Sequence, residues 1–102
     1  MEFTDSLKAL PTLSERQDYL SKLSKDQLAR AFAGSAAAID RLAYQYSLSH
    51  SDLYYYYACK KCDIPIVGYE EYGYRKIDFE SLRENIILHT LIQSEIDKRS
   101  DN

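Results

Sequence analysis

Tryptophan is absent from this 102-residue chain, and glycine, proline and cysteine are scarce, at three, two and two residues. So few glycines and prolines exclude a collagen-like or low-complexity chain. Hydrophobic residues at 45% and charged residues at 28% are ordinary for a globular domain. Cys59 and Cys62 are too few for a disulfide framework and fit a reducing compartment. Apolar runs such as Ile86-Ile87-Leu88 fall far short of the ~20 residues of a membrane span. No basic-then-apolar leader opens the sequence either, so a cytoplasmic protein without a membrane partner is expected. Strong charge of one sign is also missing. The net charge is −3, residues 25–62 hold five bases against three acids, and residues 63–102 hold nine acids against five bases. A dedicated nucleic-acid binder shows a stronger basic field than that.

What the chain has in excess is tyrosine. There are ten, and four stand in a row at Tyr54-Tyr55-Tyr56-Tyr57. Four consecutive positions on a helix sweep roughly 300°, so these rings cannot all face one core. With Tyr69, Tyr72 and Tyr74 they exceed what a small interior absorbs. Two readings stay open: rings that roof the core with their hydroxyls in water, or a surface for a protein partner, which tyrosine suits because it offers a large apolar face with few torsions to freeze.

The pattern predicts a mainly α single domain over 1–102, with four to five helices in a compact bundle and short frayed ends at 1–5 and 99–102. Thr12-Leu13-Ser14-Glu15 has capping-box spacing and opens a helix over about 13–23, with Leu13, Tyr19, Leu20 and Leu23 on its apolar side. Ser24-Lys25-Asp26-Gln27 repeats the device at once. From there Leu28, Phe32, Ile39, Leu42, Ala43 and Tyr46 fall within about 60° of one direction, a stripe that runs past Gly34-Ser35. Ser49 or Ser51 caps a third segment, which holds the tyrosine run and ends near Cys62-Asp63. Pro65 then biases the chain toward extended geometry, and residues 64–79 read as a small β-hairpin or extended loop with Gly73 near its turn. Asp78 caps a long C-terminal helix over about 79–98. Its Ile87 and Leu91 point away from Phe79, Leu82, Ile86, Leu88, Ile92 and Ile96, so they form a second face for core packing or for a homodimer.

Residues 27–42 resemble the helix-turn-helix of bacterial and phage repressors, with Ala29, Gly34, Ser35, Ile39 and Leu42 answering to the alanine, turn glycine, first recognition-helix serine and aliphatic anchors. The family's glycine normally comes one residue earlier, where this chain has Ala33. The resemblance implies a dimeric DNA-binding regulator, with Ser35, Arg41 and Tyr44 facing the groove and Arg75 and Lys76 on a wing. The competing reading is one unbroken helix over 25–47 with a glycine inside it, at a cost of about 1 kcal/mol relative to alanine.

Chemistry is thinly represented. Cys59-Lys60-Lys61-Cys62 closes a helix instead of opening one, which is the wrong end for an activated thiol, and His50 and His89 complete no familiar zinc spacing. His89 stands among aliphatic neighbours, as a hydrogen-bonded residue at the edge of the core. There is no glycine-rich phosphate loop. The expectation is therefore a non-enzymatic protein without metal, cofactor or small-molecule substrate: an inhibitor or adaptor that docks Tyr54, Tyr55, Tyr56, Tyr57, Tyr69, Tyr72 and Tyr74 on a protein partner. Inhibitors from phages and mobile elements, anti-CRISPR proteins among them, are of this size. The DNA-binding regulator is the alternative.

Overall fold

The computed structural model describes residues 3–65 and 77–100. Among the described residues five helices follow in order: α1 (Phe3–Lys8), α2 (Leu13–Ser21), α3 (Lys25–Tyr46), α4 (His50–Lys61) and α5 (Phe79–Ser100). The chain is mainly α with a long C-terminal helix, as its periodicity predicts, and no strand occurs among the described residues. The hairpin expected at 64–79 falls chiefly on 66–76, outside the described residues.

The predicted caps are the ones that start the helices. Thr12 accepts from the Glu15 amide at 3.1 Å. Ser24 and Gln27 close a full capping box at the head of α3, and Ser49 with Asp52 does the same for α4. Each supplies acceptors to amides that the first helical turn leaves without partners. At α5, Asp78 accepts from the Ser81 amide, and its own amide donates to the Tyr46 hydroxyl at 3.3 Å, which fastens the start of α5 to the end of α3.

Helix α3 runs without interruption through Gly34. Leu28, Ala31, Ser35, Ile39 and Ala43 are all buried along it, at spacings of three and four that only a continuous helix holds on one face. The turn required by the helix-turn-helix resemblance is therefore not present. Packing of this face supplies more than the modest helical penalty of one glycine removes.

The long helices α3 and α5 lie side by side and antiparallel, because the start of one meets the end of the other in two clusters. Ile39, Ala43, Leu53, Tyr56, Ile77, Leu82 and Ile86 form the first, at the α4 end. Leu7, Leu20, Leu28, Ala31, Leu88 and Ile92 form the second, at the α1–α2 end. α1 lies partly in the stretch expected as a frayed end, and it brings Leu7 to full burial. Leu13, counted with the apolar side of α2, is 56% exposed at the first residue of its short helix.

Two arginines lock the second cluster from outside. Arg16 donates from Nε to the Leu10 carbonyl at 3.0 Å and pairs with Glu84 of α5 at 2.7 Å. Arg99 reaches the carbonyls of Leu20, Ser21 and Leu23 and pairs with Glu95. The last turn of α2 has no basic residue of its own, and the guanidinium from α5 supplies a donor to the carbonyls at and just after its end.

Candidate protein-binding surface

The tyrosine run is split by the helix that bears it. Tyr56 points inward at 5% exposure and belongs to the first cluster, so it is a core residue and not part of a docking surface. Tyr57 is half-buried, stacked on Phe79 with ring centroids 6.1 Å apart, while Tyr56 meets Phe79 edge-on at 6.2 Å. Tyr54 and Tyr55 remain exposed, at 38% and 42%. Partial burial raises the pKa of the Tyr54 phenol, which stays a protonated donor at neutral pH. Tyr69, Tyr72 and Tyr74 lie outside the described residues.

Tyr44, on α3 just before the turn into α4, is 89% exposed, the most open of the large hydrophobic side chains among the described residues. It was assigned above only to the DNA-contact reading. Its phase, opposite the Leu28–Ile39–Ala43 stripe, was the available signal. Tyr44, Tyr54 and Tyr55 thus come from two helices joined by the short turn at 47–49.

The lysines at the end of α4 lie against rings. Lys60 Nζ is 5.9 Å from the Tyr56 ring centroid and Lys61 Nζ is 5.8 Å from that of Tyr57. Of the proposed DNA contacts, Ser35 is buried at 2% exposure, whereas Arg41 is exposed and Arg75 and Lys76 lie outside the described residues. On α5, Leu91 packs on the second cluster and Ile87 is half-buried, so Leu91 serves the core.

Between the two clusters sits a part-buried polar contact that joins the long helices. Ser35 Oγ donates to the Phe32 carbonyl at 3.0 Å and lies 2.5 Å from His89 Nδ1. With the hydroxyl proton so used, the contact is satisfied when the imidazole carries its proton on Nδ1. Phe32 covers the ring at a centroid distance of 4.8 Å. Burial, and then the neighbouring His50, hold the His89 pKa below its usual value. His50 itself pairs with Asp40. The pattern of apolar residues revealed the stripe but not that Ser35 lies within it opposite His89.

Cys59 is buried, Cys62 is exposed and both are free thiols. Among the described residues, no three His, Cys, Asp or Glu side chains converge as a metal site, and no helix is long and apolar enough to cross a membrane. An open cleft between α2 and α5, lined by Gln17, Leu20, Leu91, Ser94, Glu95 and Lys98, encloses about 140 Å³. That is below the ~300 Å³ at which small-molecule sites begin.

No protein-family model, curated protein or solved structure matches this chain.

Proposed function

We propose that this chain is a small non-enzymatic binding protein that docks Tyr44, Tyr54 and Tyr55 on a protein partner and thereby blocks or recruits it, as inhibitors encoded by phages and mobile elements do. One observation supports this above the rest: three large amphipathic rings stay exposed on adjacent helices while Tyr56 and Tyr57, from the same run, pack inward. Exposed rings of this kind supply the anchors that dominate protein interfaces. The DNA-binding alternative rested on a turn at Gly34 that α3 does not make and on Ser35, which is buried.

Removing the rings tests the proposal. Tyr54→Ala with Tyr55→Ala, and Tyr44→Ala separately, change exposed positions outside the two hydrophobic clusters. Circular dichroism should therefore be unchanged, while capture of a stoichiometric protein partner should fall by more than about tenfold, as for an interface hot spot. Undiminished capture by all of these variants would remove the surface.

A further inference from the structure

We infer that Cys59 and Cys62 form a thiol modification site, which a low-molecular-weight disulfide such as glutathione disulfide oxidises to a bridge across the last turn of α4. The inference stands apart from the reading of the tyrosines. These two are the chain's cysteines, and both are free thiols, Cys59 buried and Cys62 exposed. Their Cα–Cα distance is set by the torsions of the two residues between them, Lys60 and Lys61, which are both helical. A regular helix puts Cα atoms three residues apart at about 5 Å, inside the ~4.4–6.8 Å that a disulfide spans. The Cβ atoms of such a pair stand about 5–6 Å apart, against the ~3.8 Å of a bridge, so the turn must tighten. The end of α4 can yield in this way. Cys62 is its C-cap, at φ −95° and ψ 4°, and Asp63 beyond it takes left-handed backbone at φ 58°. Terminal turns fray and tighten at little cost.

Exposure sets the order of the steps. Cys62 gives its proton to water and attacks one sulfur of the oxidant; the oxidant's S–S bond breaks, and one thiol leaves with the electron pair and takes up a proton. Cys59, bared as the turn frays, loses its proton to water and attacks Cys62 Sγ, which releases the second thiol. Two electrons and two protons thus pass from the protein to the oxidant. Other uses of the pair fit less well. Among the described residues no third His, Cys, Asp or Glu converges with the two thiols as a metal site. A redox catalyst places its pair where a helix opens, whereas this pair closes one, and Lys60 and Lys61 are held near the Tyr56 and Tyr57 rings. The bridge is therefore a state of the protein and not a reagent. Where the surroundings are reducing, it forms only under oxidative load. At 100° per residue Tyr55, Cys59 and Cys62 fall within an arc of about 60°, so closure alters the surface beside an exposed ring.

The reduced full-length protein is equilibrated in buffers of glutathione and glutathione disulfide, quenched with N-ethylmaleimide and weighed by mass spectrometry. Both thiols should take up maleimide in excess glutathione and neither in excess glutathione disulfide, with no glutathione retained, and dithiothreitol should restore both. Wild-type protein that retains glutathione, links into covalent dimers or keeps both thiols overturns the inference. Cys59→Ser should retain one glutathione at Cys62, because the second step is lost, and Cys62→Ser should retain none while its circular dichroism is unchanged. Glutathione held by the folded Cys62→Ser protein makes Cys59 the attacking thiol and overturns the order of steps. In the isotope-labelled wild type, oxidation should move the amide signals of residues 55–64 and leave those of residues 13–21 in place. Equal movement of both sets makes oxidation a general unfolding and overturns the local site.

Discussion

His89 shows how much a single polar side chain can hold in a helical interface. Its ring is covered by Phe32, its Nδ1 meets Ser35, and no carboxylate is among the groups that act on it. The neutral form is therefore the one that the folded protein favours. In the unfolded chain the ring titrates near 6.5, and in the folded protein below that value. As pH falls through about 6.5 the unfolded chain takes up its proton first, so stability drops until the folded pKa has been passed. Above that window the contribution is fully present. Urea midpoints measured at neutral pH and in mild acid should thus diverge, and His89→Gln should flatten the difference. An unchanged slope in that variant would transfer the effect to other groups. The sequence placed His89 correctly at the core edge, from its aliphatic neighbours, but pairing it with Ser35 required knowing how two helices distant in sequence align. That register is set by packing and not by any local pattern.

At the scale of elements, local rules worked where the determining contacts lie within one turn. The capping boxes at Ser24 and Ser49 and the cap at Asp78 are contacts between residues three apart, and they were legible for that reason. Helix α1 was not, because six residues with one buried leucine carry no period to read. The ends of α3 and α4 also departed from rule: Ser47 and Asp63 take left-handed backbone where glycine is the usual choice. The amides after them still close the helices, Leu48 to Ala43 at 2.9 Å and Ile64 to Cys59 at 2.8 Å. Gly34 is the sharpest case, because one letter supported two architectures. In the helix that the structure shows, Gly34→Ala removes backbone entropy from the unfolded chain and should raise stability by up to about 1 kcal/mol. In the left-handed turn of a helix-turn-helix, alanine would cost about that much instead. A denaturation midpoint that falls in the variant would count against the continuous helix or show that its Cβ has no room.

For the molecule as a whole, the arrangement of α3 and α5 decides whether the two hydrophobic clusters behave as one. Each helix is 22 residues long and contributes to both clusters, so neither cluster can dissolve without loosening a rod that supports the other. Helices α1, α2 and α4 serve only one end each; Tyr54 and Tyr55 sit on α4, outside the central pair, whereas Tyr44 is on α3. The amphipathic stripes of the long helices made this two-rod frame readable in the sequence. The division of the tyrosines was readable only in part, because a run of four identical rings has no phase of its own until Leu53 and Cys59 fix which side is inward. Coupling through the rods predicts one cooperative transition for both ends. Leu53→Ala in the first cluster and Leu20→Ala in the second remove side chains at 0% and 1% exposure, and each should lower stability by about 2–5 kcal/mol. Far-ultraviolet circular dichroism and tyrosine fluorescence should still report a single coincident midpoint in both variants. Fluorescence weights the α4 end, where Tyr54, Tyr55, Tyr56 and Tyr57 lie, whereas circular dichroism weights all five helices. If Leu20→Ala shifted the dichroism transition and left the fluorescence transition in place, the clusters would unfold independently, and α4 would be insulated from the α1–α2 end.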